Sequence, residues 1–248
     1  MVRLLALLLL LFAPLRASTD VLLAAADDAT LQPLIARLAN PHTETRASWT
    51  FWLGTLGGKS VVLTRTEGDP LNAVAAATLA IRRYAPKLVV SYGSARAHDP
   101  ALQPGDAIVS EVFAAFDGMV SPVTSLDGGA HPLKWERLPH APIQGKEVEK
   151  YVLTFPADAT ALAAAKKLSG PRGAVIPGTL GSANQVNREA DRIAWIRATW
   201  GTSCEDGESA HLAGAAQLLG VPIIGLRIIE GTPEQAAALA LKFMEASR

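Results

Sequence analysis

Asp206 and Glu208 stand two residues apart at the head of an Ala- and Leu-rich stretch, and Arg227 lies in the apolar run that follows. Carboxylates move protons, accept hydrogen bonds from hydroxyls and stabilise positive charge that develops beside them. A second acidic pair, Asp27-Asp28, closes an early apolar run. Loops after such strands are where open α/β sheets bind ligands. A third set is Gly93-Ser94-Ala95-Arg96, which offers a hydroxyl and a guanidinium just after another apolar run. Each of these residues also has a plain structural reading. Glu208, Asp27 and Asp28 all sit where helix caps are expected, and Arg96 can be an ordinary loop arginine.

The elements that must position these groups follow from periodicity. Ser209 to Leu219 has helical spacing through Leu212, Ala216 and Leu219. Gly220 and Pro222 end that helix, and Ile223 to Ile229 reads as a strand buried on both faces. Glu208 then stands at the helix mouth, where the dipole favours an ionised carboxylate. Asp20 to Ala26 predicts a first strand, and Thr30 to Leu38 predicts the helix after the Asp27-Asp28 loop. Trp49 to Leu56 and Lys59 to Arg65 predict a hairpin turned by Gly57-Gly58. Asn72 to Tyr84 predicts a helix stopped by Pro86. Strands are expected at Lys87 to Tyr92, Ala107 to Val112, Val152 to Phe155 and Gly173 to Gly178, with Gly93 as the point where the chain turns. Further helices are expected at Ala159 to Leu168, Asp191 to Thr199 and Gln235 to Met244. This alternation predicts a single α/β domain.

The order Gly93-Ser94-Ala95, Leu102-Gln-Pro-Gly105-Asp106, Asp206-Gly207-Glu208-Ser209-Ala210 and Arg227 resembles the nucleoside phosphorylase and nucleosidase superfamily. In pattern it is most similar to the 5′-methylthioadenosine/S-adenosylhomocysteine nucleosidases. The resemblance implies a three-layer αβα sandwich with a mixed, twisted central sheet. It also implies cleavage of the N-glycosidic bond of a purine nucleoside, with water or phosphate as co-substrate. Phosphorolysis of another nucleoside and non-catalytic nucleoside binding are the alternatives. By the same resemblance Glu208 holds the ribose hydroxyls, and Gly207 replaces a family Met that packs on the sugar. An acid in the loop after the first strand, here Asp28, protonates the leaving base. Ser94 binds the sugar or the nucleophile, beside Gly93. Arg96 replaces a Gly that lines the base pocket, and there it either binds an anion or narrows the pocket. The base-sandwiching segment reads Asn184-Gln185-Val186, without an aromatic. The family's Arg-x-x-Ser-Asp becomes Arg227-Ile-Ile-Glu230-Gly231, so its base-binding Asp is missing and Glu230 is the nearest substitute. These departures predict altered or weakened adenine specificity. The turn Thr66 to Asn72 keeps only Gly68 of a Gly-rich phosphate turn, with Glu67 and Asp69 beside it. Two carboxylates repel a phosphate dianion, which favours water.

Composition narrows the class. The 248 residues carry 23 basic and 23 acidic side chains. That balance argues against nucleic acid or an acidic membrane surface as partner and suits a small-molecule ligand. The five His show no paired ligand spacing, so neither a metal nor a cofactor is expected. Cys204 is the only cysteine, which excludes an intrachain disulfide. Residues 1–17 combine a basic start, an apolar run from Leu4 to Phe12 and small residues at Ala17-Ser18. They read as a secretory signal peptide, leaving 18–248 as the mature domain in the bacterial periplasm or outside the cell. The apolar run is short for a membrane span, so no stable anchor is expected. Phe116 to Ile143 reads as a loop that covers the site or contacts another subunit, in a homodimer or larger homo-oligomer.

Overall fold

The structure is a computed structural model, and it describes residues 18–121, 134–142 and 151–247. The signal-peptide segment and parts of the Phe116 to Ile143 loop lie outside the described residues. The strands are β1 (Val21–Ala25), β2 (Ala39–Arg46), β3 (Trp49–Leu56), β4 (Lys59–Arg65), β5 (Leu88–Ala97) and β6 (Ala107–Ala115). Short pieces follow: β7 (Met119–Val120), β8 (Glu136–Arg137), β9 (Phe155–Pro156), β10 (Ser169–Gly170) and β11 (Gly173–Ala174). The last three are β12 (Ile176–Ser182), β13 (Cys204–Asp206) and β14 (Ile223–Ile229). Among the described residues six helices accompany them: α1 (Asp28–Ile35), α2 (Pro70–Tyr84), α3 (Ala159–Ala165), α4 (Ala190–Trp200), α5 (Ser209–Leu218) and α6 (Pro233–Ala246).

The main sheet runs in the order β13-β12-β6-β14-β5-β1-β4-β3-β2. It is mixed: β1 pairs in parallel with β4 and β5, whereas β14 is parallel to β5 and antiparallel to β6. Burial on both faces explains the continuous apolar runs. Val21, Leu23 and Ala25 of β1 enter one core with Leu31, Leu34 and Phe243 from α1 and α6. Leu22 and Ala24 of the same strand enter the other, with Ala77, Ile81 and Leu212 from α2 and α5. Helices therefore flank the sheet on two sides, as a three-layer α/β fold requires.

The strands depart from the sequence expectation. The chain does not turn at Gly93: β5 runs through it to Ala97. That extension lets β5 pair with β13, antiparallel at Cys204↔Ala97 and Glu205↔Arg96. Strands β5, β14, β6, β12 and β13 thereby close into a ring, one end of which carries the candidate site. The longest strand that the sequence did not announce is β2, whose residues are almost all exposed. It is an edge strand with Pro41 in it, and it has no apolar alternation to announce it.

Candidate active site

The ends of β1, β5, β13 and β14 surround one cavity of about 530 Å3. Glu208 lies in its wall at the start of α5 and is 3% exposed. The cap reading does not hold for it. Its side chain makes no capping bond. Asp206 Oδ1 instead accepts from the N–H of Glu208 at 2.8 Å and of Ser209 at 2.7 Å, and Ser182 Oγ accepts from the N–H of Ala210 at 2.9 Å. The helix head is thus satisfied without Glu208, whose Oε2 is buried with no hydrogen-bond partner. Burial pushes its carboxyl up to about 7, and the charge of Asp206 adds to this, while Thr66, Arg227 and the Gly68 N–H oppose it. A buried acceptor without a donor is costly unless a ligand supplies the donor.

Asp206 is the anchor beneath Glu208. Its Oδ2 accepts from Arg227 Nε at 2.9 Å, and its Oδ1 also accepts from Ser182 Oγ at 2.8 Å. Burial opposes its charge, but Arg227 and the backbone donors outweigh that and hold the carboxyl below its usual value. Arg227 is 2% exposed and reaches Ser91 Oγ at 2.7 Å. Arg227, two residues before the end of β14, therefore braces the helix head from inside the sheet.

The acids of the first loop separate. Asp27 lines the cavity, where it caps α1 by accepting from Thr30 N at 2.7 Å. Asp28 does not reach it. It pairs with Arg65 at 2.8 Å and lines a separate hollow with Trp49 and Trp52. The helical turn sends successive side chains in different directions, so the choice of Asp28 is corrected to Asp27 as the loop acid facing the cavity.

Gly93, Ser94, Arg96, Val186, Gly207 and Glu230 all line the same cavity. A Cβ on Gly93 would meet nothing within 4 Å, so the glycine leaves open space in the cavity. Gly207 has a different reason. A Cβ there would collide with the backbone carbonyl of Gly68, which occupies the room a larger side chain would need. Gly231 is not among the lining residues, and a Cβ on it would run into the Ile228 side chain. Glu230 reaches the cavity because its backbone is left-handed, with φ 46°. This conformation is uncommon for a residue with a side chain and breaks the alternation of the strand before it.

Sequence reasoning missed Glu205. It lines the cavity 7% exposed, with Oε2 2.6 Å from Asn187 Nδ2 and 3.1 Å from His98 Nε2. Burial works against its ionisation, but His98 and Asn187 prevail and hold its pKa below the ordinary value. Nothing in the local pattern marked it, because it reads as one more acid before Asp206. Val186 is exposed, and no aromatic ring occupies the segment beside it. Among the described residues no cluster of His, Cys, Asp and Glu has the arrangement of a metal site. Cys204 is buried, and burial raises its thiol far above the usual range, so it is no nucleophile.

The sequence pattern of the phosphorylase superfamily matches residues 20–247, nearly the whole described chain. The chain belongs to the phosphorylase superfamily. Among superfamily relatives, the 5′-methylthioadenosine/S-adenosylhomocysteine nucleosidase of Pseudoalteromonas translucida is 34% identical over 104 residues, 38% of this chain and 44% of that protein. The enzyme of the same name from a Marinomonas strain is 26% identical over 197 residues, 77% of each chain. Against the first of these the match spans less than half of the relative's length. The solved nucleosidase of S. pneumoniae with a transition-state inhibitor superposes with a TM-score of 0.75. That superposition covers 92% of this chain and 100% of the other at 19% identity, and it shows the superfamily fold.

Proposed function

We propose that this protein hydrolyses the N-glycosidic bond of a purine ribonucleoside, the class of reaction named in its relatives of the superfamily. The observation that carries the proposal is Glu208: a buried carboxylate oxygen without a donor, in a cavity wall whose helix is already capped by other groups. Vicinal ribose hydroxyls supply the missing donors, and each bond to an ionised carboxylate is stronger than a neutral one. The charge of Glu208 then lies beside the ribosyl cation that forms as the C1′–N9 bond breaks and its electron pair leaves with the base.

Water adds to C1′ on the face opposite the base, near Ser94. Asp27 takes the proton that water loses and gives it up to solvent, in place of the base-protonating role that the family resemblance implied, and the departing base takes its proton from solvent. Glu230 and Arg96 face the base. Water rather than phosphate is the nucleophile in this reading, because the turn that holds phosphate in phosphorylases here carries two carboxylates. Glu67 pairs with Arg65 at 2.7 Å, and Asp69 caps α2 by accepting from Asn72 N at 3.0 Å. Incubation of residues 18–248 with a ribonucleoside panel, with and without phosphate, tests the proposal by the release of free base. Base released only with phosphate makes the enzyme a phosphorylase, and no release with tight nucleoside binding makes it a binding protein. Export by residues 1–17 and assembly into a homodimer or larger homo-oligomer belong to the same proposal, and light scattering of the purified protein tests the second.

A further inference from the structure

Where β5 meets β13 the cavity carries a donor, Arg96, and an acceptor, Glu205. Arg96 Nη1 donates to the carbonyl of Asn187 at 2.8 Å, and the side-chain amide of the same Asn187 donates to Glu205 Oε2 at 2.6 Å. Asn187 is buried and its backbone N–H also donates to Glu205 Oε1 at 3.3 Å. Arg96 and Glu205 are direct partners across β5 and β13, and His98 holds Glu205 from behind at 3.1 Å. Both charged side chains line the cavity, and among the described residues no carboxylate stands within ion-pair distance of Arg96. A guanidinium that is anchored on one side and unpaired on the other is a built donor for a ligand.

We infer that Arg96 and Glu205 select a 6-oxopurine over a 6-aminopurine; this rests on the nucleoside reading above. A 6-oxopurine presents, in order along its edge, two acceptors at N7 and O6 and a donor at N1–H. The guanidinium fork fits the two acceptors, as it does for guanine generally, and the carboxylate fits the N–H. An adenine edge reverses the last two groups. Its amino group faces the guanidinium donor to donor, and its N1 lone pair faces the carboxylate acceptor to acceptor. The same contact serves the chemistry. When the C1′–N9 pair enters the purine, negative charge spreads to N7 and O6, where a permanent cation stabilises it. Gly231 supplies no side chain for that purpose, and Arg96 does.

Calorimetric binding of free hypoxanthine and free adenine to the folded protein tests this without depending on turnover. Hypoxanthine is expected to bind about 10- to 100-fold more tightly than adenine, and Arg96→Met to remove most of that preference by weakening hypoxanthine alone. A matching melting temperature confirms that the variant folds, and Arg96→Lys, which keeps the charge but not the fork, should recover only part of the preference. Equal or tighter adenine binding, no binding of either base, or an unchanged ratio in Arg96→Met overturns the inference. The two proposals fail separately. Hypoxanthine preference without cleavage of any nucleoside removes the hydrolase reading and leaves this one, whereas rapid cleavage with adenine preferred does the reverse.

Discussion

Replacing Glu208 with Gln should stabilise the protein while disabling it, and the pH at which each effect appears is fixed by the site. The carboxyl is pushed up from 4.5 to about 7, chiefly by burial. Between those values the folded chain keeps a proton that the unfolded chain has released, so stability falls as pH rises through this window and stays low above it. At about 1.4 kcal/mol per tenfold change in proton affinity, the charged side chain costs about 3 kcal/mol at pH 8. Gln mimics the neutral acid and escapes that cost. Glu208→Gln should therefore melt roughly 6–12 °C above the unaltered protein at pH 8 and at nearly the same temperature at pH 5. Nucleoside hydrolysis should drop on the order of 10²-fold, because the charge beside the ribosyl cation is gone. In the unaltered protein kcat/KM should rise with pH through about 7 as Glu208 ionises. Thermal melts at the two pH values, with turnover measured on the same samples, decide the matter. A variant destabilised equally at both pH values would mean that Glu208 holds the helix head. Full turnover in Glu208→Gln would refute its role in the reaction.

Asp27→Asn should lower turnover on the order of 10²-fold, whereas Asp28→Asn should leave turnover intact and change stability by less than about 1 kcal/mol, since its exposed pair with Arg65 is worth little; rates on both variants decide between the two acids. Gly207→Ala should cost at least about 1–3 kcal/mol in a denaturant titration, because its Cβ meets the fixed Gly68 carbonyl; an unchanged midpoint would contradict that contact. Gly231→Asp should lose a similar amount through its collision with Ile228 and gain no adenine activity, which the same titration and an adenosine assay would check. Intact-mass measurement of the exported protein should find a chain that starts near Ser18, and retention of Met1 would count against the signal peptide.

Most of the architecture was legible because burial imposes periodicity. Ile223–Ile229 and the β3–β4 hairpin about Gly57-Gly58 lie where composition and turn chemistry place them. The ordered motifs from Gly93 to Arg227 sufficed for the family, since they are short, local and carried by residues that few other types can replace. The edge strand β2 escaped because solvent exposes nearly all of it. What the sequence did not decide is direction. Asp27 and Asp28 are adjacent and chemically alike, and only the start of α1 turns one toward the cavity and the other toward Arg65. Glu230 looked misplaced by one position until its left-handed backbone returned it to the site. Glu208 read equally as a cap, and only the structure removes that reading, because Asp206 and Ser182, residues 2 and 26 positions away, take the helix N–H groups first. Glu205 and Arg96 meet because β5 passes through Gly93 and pairs with β13, a contact between segments about 110 residues apart. Local pattern reports which residues are buried and in which element, because that depends on neighbours along the chain. Which polar atoms remain unpaired depends on neighbours in space, and it is the unpaired atoms that are left to bind.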